Sequence, residues 1–174
     1  MNDPAAPSLE SRLATVEDEL AIYRLIATHP LSADTGDRAF IDAIYTQDVR
    51  FDRGPELEGA SGRANMAALV SSEAHKTAIA GGLAHFAGLP LVELNGDSAV
   101  ATSYLALITP DAAGESRELA NHGESTGFRI HRVLANRWTF VRTPDGWRIA
   151  SRTLLPTDGS PEAQNLLLEA ARDR

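Results

Sequence analysis

Three residues far apart in the chain, Asp34, His85 and Arg152, carry the side chains that a proton-transfer site needs. An imidazole takes up and returns a proton near neutral pH. A carboxylate bonded to its second ring nitrogen fixes the tautomer and raises its basicity. A guanidinium can hold an oxygen on which negative charge collects. His85 stands out because its neighbours in "GGLAHFAGLPL" (81–91) are otherwise apolar. Read alone, that segment favours a core histidine bonded to a backbone carbonyl, since buried polar groups usually just find a partner. Asp34, in "SADTGD", reads by itself as a loop residue or turn former.

Other chemistries are excluded by what the chain lacks. There is no cysteine, which removes disulfides, thiolate catalysis and sulfur-rich metal sites. The five histidines (His29, His75, His85, His122, His131) have no short metal-ligand spacing, so no metal is expected. No glycine-rich phosphate loop, dinucleotide fingerprint or Gly-x-Ser-x-Gly elbow occurs, so no cofactor is expected either. A net charge of −8 with no Lys/Arg block opposes nucleic acid and anionic membrane as partners. No apolar run reaches the roughly 20 residues of a membrane span. The opening "MNDPAAPS" lacks the basic and apolar regions of a secretory signal, so a cytoplasmic location is expected.

The elements that must position these residues follow from periodicity. With 174 residues, 43% of them apolar, one domain over 9–174 is expected, preceded by a loose arm at 1–8. Leu9, Leu13, Val16, Leu20, Tyr23 and Ile26 or Ala27 recur at helical steps, with Ser8 as N-cap and Pro30 marking the helix end. "SADTGD" is then a loop, and Asp37 caps a short helix, "RAFIDAIY". "DVRFDR" reads as a strand and "GRANMAALVSSEAHK" as a third helix. From Gly82 the pattern changes to strands: "LAHFAGLPLVEL", bent at Gly88 and Pro90, and "SAVATSYLALIT". "DAAGESRELANHGES" reads as an irregular loop, and "FRIHRVLANRWTFVRT" and "WRIASRTLL" as long strands joined by "PDG". "SPEAQNLLLEAARD" is a closing helix. Helices followed by a meander of antiparallel strands give an α+β fold with helices on one face of a curved sheet.

Taken in order, "IYRLIATHPLSADTGD", "IYTQDVRFD", "AHFAGLPLVELNGDSAVATSY" and "RWTFVRTPDGWRIASR" resemble the SnoaL-like branch of the nuclear transport factor 2-like superfamily. The resemblance covers about Leu9 to Leu155. It implies a cone: a strongly bent antiparallel sheet wrapped round a long N-terminal helix, enclosing a mostly apolar pocket. In the family's enzymes, among them scytalone dehydratase, lindane dehydrochlorinase and bile-acid 7α-dehydratase, an aspartate after the first helix pairs with a strand histidine. Asp34 and His85 match those positions, and Arg152 matches a late-strand arginine of the latter two enzymes. His29 stands where relatives place a tyrosine or lysine; by itself it reads as a helix-end histidine favoured by the dipole. Arg53 stands where dehydratase relatives place a pocket tyrosine, and either binds an anion or faces solvent. The second histidine of scytalone dehydratase has no counterpart near Ile108–Pro110.

Tyr104 alternates with Val100, Thr102, Ala106 and Ile108 on one strand face, lining the pocket or filling core. Trp138 and Trp147 read as core. Arg148 and Arg152 share parity, so a bulge is needed to turn one of them inward alone. The expected function is a cofactor-independent lyase or isomerase of dehydratase type. His85 and Asp34 would be its catalytic pair, with His29, Arg53, Tyr104 and Arg152 binding a small, largely apolar substrate. The alternative is a non-catalytic ligand-binding or assembly subunit of the same fold. Family resemblance also implies a homo-oligomer, dimer or trimer.

Overall fold

A computed structural model describes residues 6–172; most of the expected arm at 1–8 lies outside them. Helix α1 (Leu9–Thr35) starts where Ser8 accepts a hydrogen bond from the Ser11 amide at 3.2 Å. It does not stop at Pro30. The proline removes one backbone donor, but the helix continues with His29, Ser32 and Ala33 buried. It ends at Gly36, whose left-handed backbone (φ 65°) suits glycine and lets its N–H reach the Ser32 carbonyl. "SADTGD" is therefore mostly helix, and Asp34 occupies the last turn of α1 rather than a loop. The leucine stripe also faces the other way from expectation. Leu9, Leu13, Val16 and Leu20 are exposed, while Ile22, Ile26, His29 and Ala33 form the buried stripe. Its steps of four, three and four are equally helical, so spacing alone could not choose between the two faces.

Helix α2 (Arg38–Ile44) is capped by the Asp37 carboxylate on the Ala39 amide at 2.8 Å, and buries Ile41 and Ile44. Strand β1 (Tyr45–Asp52) follows directly, then the two-residue β2 (Ala60–Ser61). The third helical segment is two helices, α3 (Arg63–Val70) and α4 (Glu73–Ala80), because Ser72 caps a new start by accepting from the His75 amide. Gly88 and Pro90 split the bent strand into β3 (Ala84–Ala87) and β4 (Leu91–Asn95), both antiparallel to β5 (Ser98–Pro110). The polar segment expected as irregular folds a small hairpin, β6 (Arg117–Leu119) with β7 (Gly123–Ser125). Long strands β8 (Phe128–Thr143) and β9 (Gly146–Pro156) and helix α5 (Pro161–Arg172) complete the chain.

The main sheet runs β2-β1-β9-β8-β5-β3, with β4 also on β5. It is mixed rather than wholly antiparallel: β1 lies parallel to β9. This is the helix-and-curved-sheet cone that the resemblance implied. The helical layer covers the inner face, and α5 packs on the outer face against Ala135 through Ala163 and Leu166. Trp138 and Trp147 are core, as expected.

Register places the inner-face side chains in rows. His85, Leu107 and Arg132 lie opposite one another across β3, β5 and β8. Trp138, Arg152 and Phe51 do so across β8, β9 and β1. The second row depends on a bulge. Thr139 pairs with Ser151 but Phe140 pairs with Ile149, leaving Ala150 as the extra residue on β9. Side-chain parity changes there, so Trp147 and Ile149 are inward before the bulge and Arg152 and Leu154 after it. Arg148 stays half-exposed and Arg152 is 2% exposed.

Candidate active site

A cavity of about 130 Å³ opens between the helices and the inner sheet face. That volume is near the roughly 150 Å³ of apolar cavities that hold a benzene ring. Phe51, Met66, Leu105, Leu107, Leu134 and Leu154 supply much of its apolar wall. Its polar groups are His29, His75, His85, Arg53, Arg132 and Arg152.

Asp34 and His85 meet at this wall. The Asp34 Oδ1 accepts from Nδ1 of His85 at 2.6 Å, and its two carboxylate oxygens accept from the His85 backbone N–H at 3.2 and 3.1 Å. Because a carboxylate only accepts, Nδ1 carries the proton when the ring is neutral, and Nε2 keeps its lone pair. Burial pulls the imidazole below its ordinary value of 6.5; the hydrogen bond and charge of Asp34 pull it part of the way back. His85 is therefore neutral near pH 7, as a base must be.

Arg152 is a buried cation held by neutral groups. Its Nε donates to Oδ1 of Asn136 at 2.9 Å and its Nη1 to Nε2 of His29 at 2.5 Å. The guanidinium lies over Trp138 (4.4 Å) and Phe51 (5.0 Å). Its Nη2 is buried without a hydrogen-bond partner. Burial lowers its pKa to about 10, which still leaves it charged at neutral pH.

His29 is fully internal rather than at a helix end. Since Nε2 accepts from Arg152, the proton sits on Nδ1, which donates to the Tyr45 hydroxyl oxygen at 2.8 Å. Burial, then the charge of Arg152, hold its pKa well below the usual histidine range. Burial also pushes Tyr45 up to about 12. Both therefore stay neutral beside the cation.

Arg53 is half-buried and reaches the cavity, with Nη1 donating to the Glu58 carbonyl at 3.4 Å. Tyr104 does neither of the things expected of it. Leu105 and Leu107 hold the inward parity on β5, so Tyr104 points out of the opposite face, 51% exposed.

Three further groups escaped the sequence. His75 lines the cavity from α4, its Nε2 donating to the Ala33 carbonyl at 2.7 Å, with its ring 5.9 Å from that of His85. Arg132 lines the cavity from β8. Asn136 has the same parity as Trp138, which was the available signal for its inward position. Among the described residues, no group of three or more His, Cys, Asp or Glu is arranged to hold a metal ion. No helix among them is long and apolar enough to cross a membrane.

Comparison with known proteins supplies the family context. A SnoaL-like domain model matches residues 14–153. An NTF2-like protein with a cystatin-like fold from Novosphingobium aromaticivorans is 34% identical, with a TM-score of 0.80 over 95% of this chain and 99% of its own. Two more distant structures share the fold. One, provisionally named a dehydratase of the NTF2-like family, from Streptomyces avermitilis, is 16% identical (TM-score 0.58, 82% and 97% of the two chains). The other, from Catenulispora acidiphila in complex with S-DNPA, is also 16% identical (TM-score 0.61, 81% and 94%). No protein with a curated description matches the sequence significantly.

Proposed function

Given that this chain belongs to the SnoaL-like domain family, we propose that it is a cofactor-independent lyase or isomerase of dehydratase type. The observation that carries this reading is the 2.6 Å Asp34–His85 bond at the cavity wall, which leaves Nε2 of His85 as a free base. Nε2 removes a proton from a carbon next to a carbonyl. The electron pair moves toward the carbonyl oxygen, where the Nη2 donor of Arg152 offsets the developing charge. In an elimination, the pair then forms the carbon–carbon double bond as hydroxide leaves, taking the proton back from His85 as water. In an isomerisation the same proton returns to a different carbon. Asp34 keeps the ring in the productive tautomer and stabilises the imidazolium between the two transfers.

The apolar wall favours this chemistry, because fixed charges act more strongly where water is excluded. A small molecule with a ring-sized apolar body fits the cavity volume. Exchange of solvent deuterium into the acidic C–H of hydroxy-ketones, followed by NMR, tests the reading. Exchange catalysed by the wild type and lost in His85→Ala supports it; equal exchange by both proteins rejects it. We also propose a homo-oligomer, on the strength of the exposed Phe86, Tyr104 and Val133 on the outer sheet face.

A further inference from the structure

The cavity has a charge imbalance that the catalytic pair does not use. Three arginines, Arg53, Arg132 and Arg152, line it, and among the described residues no aspartate or glutamate does. This is unusual for a chain whose net charge is −8. The acidic residues nearest in role sit elsewhere. Asp34 lies behind His85 and is occupied with it. Glu56 reaches Arg132 at 3.5 Å but is 73% exposed at its side chain. No carboxylate lies within ion-pair distance of Arg53 or Arg152 among the described residues.

Gathering cations without an anion is unfavourable: burial first, and then the neighbouring guanidinium, lowers the pKa of Arg53 (through Arg132) and of Arg152 (through Arg53). Arg152, itself a cavity-lining residue, adds a second indication: its Nη2 donor is buried and unpartnered. Such an arrangement is stable in use when a ligand brings the missing negative charge. Arginine forks match the planar carboxylate geometry with two parallel hydrogen bonds.

We infer that the cavity takes a carboxylate substrate: a small cyclic acid with its ring against the apolar wall and its carboxylate between Arg53 and Arg132. Its reacting oxygen then faces Nη2 of Arg152, within the same cavity as Nε2 of His85. Arg53 and Arg132 are specificity-determining residues in this arrangement, and Glu56 is the exposed group that the incoming carboxylate displaces from Arg132. The inference rests on the catalytic reading only for the placement of the reacting oxygen; the charge preference is a binding property.

Equilibrium titration separates the two. Benzoate and cyclohexanecarboxylate are compared with their neutral primary amides, benzamide and cyclohexanecarboxamide, and with inorganic phosphate. The proteins are wild type, His85→Ala, and Arg53→Gln with Arg132→Gln, each first checked for folding by circular dichroism. The acids should bind at least tenfold tighter than their amides in wild type and in His85→Ala. The preference should fall to about twofold or less in the arginine variant. Equal binding of acids and amides, no binding of the acids at millimolar concentration, phosphate competing as well as the acids, or a preference that survives both arginine substitutions would each overturn the inference. If the acids bind as expected but His85→Ala matches wild type in deuterium exchange, the catalytic reading fails and the carboxylate site stands.

Discussion

Asp34 grips His85 twice, once at ring Nδ1 and once at the backbone N–H of the same residue. The carboxylate thus fixes both the tautomer of the ring and the position of the strand that carries it. Because α1 runs through Pro30 to Thr35, this contact joins the last turn of the long helix to strand β3.

Asp34→Asn is expected to lower kcat by about 10²–10⁴-fold, the usual contribution of general-base assistance. Losing the carboxylate removes the influences that raise the His85 pKa, while burial continues to lower it. Activity in the wild type should fall on the acid side with a midpoint below 6.5, as Nε2 takes up a proton. Residual activity of Asp34→Asn should have its acid limb at still lower pH, and a pH–rate profile of the two proteins checks both statements.

Arg152→Lys keeps the charge but not the fork. One ammonium cannot satisfy Asn136 and His29 in the present geometry and also present a donor to the cavity. A tenfold or greater loss in kcat is expected, with substrate affinity changed much less. Steady-state kinetics that show an unchanged kcat would remove Arg152 from the oxyanion role.

Stability should depend on pH through His29. In the unfolded chain this histidine protonates near its ordinary 6.5, whereas in the fold burial and Arg152 keep it neutral far below that. The unfolded state therefore binds more protons as the pH drops below about 6.5, and stability falls in that direction. His85, also lowered, contributes with the same sign. Thermal melts from pH 8 to 5.5 should show a decreasing midpoint, with a shallower slope in His29→Gln. A flat profile in the wild type would contradict the buried neutral state.

Tyr104 points away from the cavity, so Tyr104→Glu should leave ligand titrations within about twofold of wild type. Placing a charge beside Phe86 and Val133 should weaken the proposed homo-oligomer. Light scattering after size exclusion reads the second outcome, and a species of unchanged mass would count against this face as the contact.

Much of the site was legible because its members carry unusual chemistry for their surroundings. A histidine within an apolar strand and an aspartate ahead of a helix cap are visible in one sequence, and the family resemblance brought them together. Facing was much less legible. Tyr104 lay one residue from the inward parity of Leu105, and a period of two allows either choice until the register is known. The leucines of α1 failed for a similar reason, since two stripes of equal periodicity share the helix. Pro30 was misleading because local helix-breaking chemistry competes with burial of the turn around it, and burial prevailed. His75 stayed hidden inside what reads as one helix; the Ser71–Ser72 pair was the signal for the break that positions it.

The extra residue at Ala150 lets one strand be read in two phases. Toward the "PDG" turn, the strand contributes Trp147 and Ile149 to the packed interior; beyond the offset, it delivers Arg152 to the cavity. Deleting Ala150 would leave Ile149 opposite Phe140 and Ser151 opposite Thr139 in an unbroken ladder, so both halves would keep their facing and the strand would lose the local bend and twist of the offset. Pairing with β8 on either side of the offset fixes the facing of each half, and the extra residue sets how the strand curves between the hairpin and the cavity.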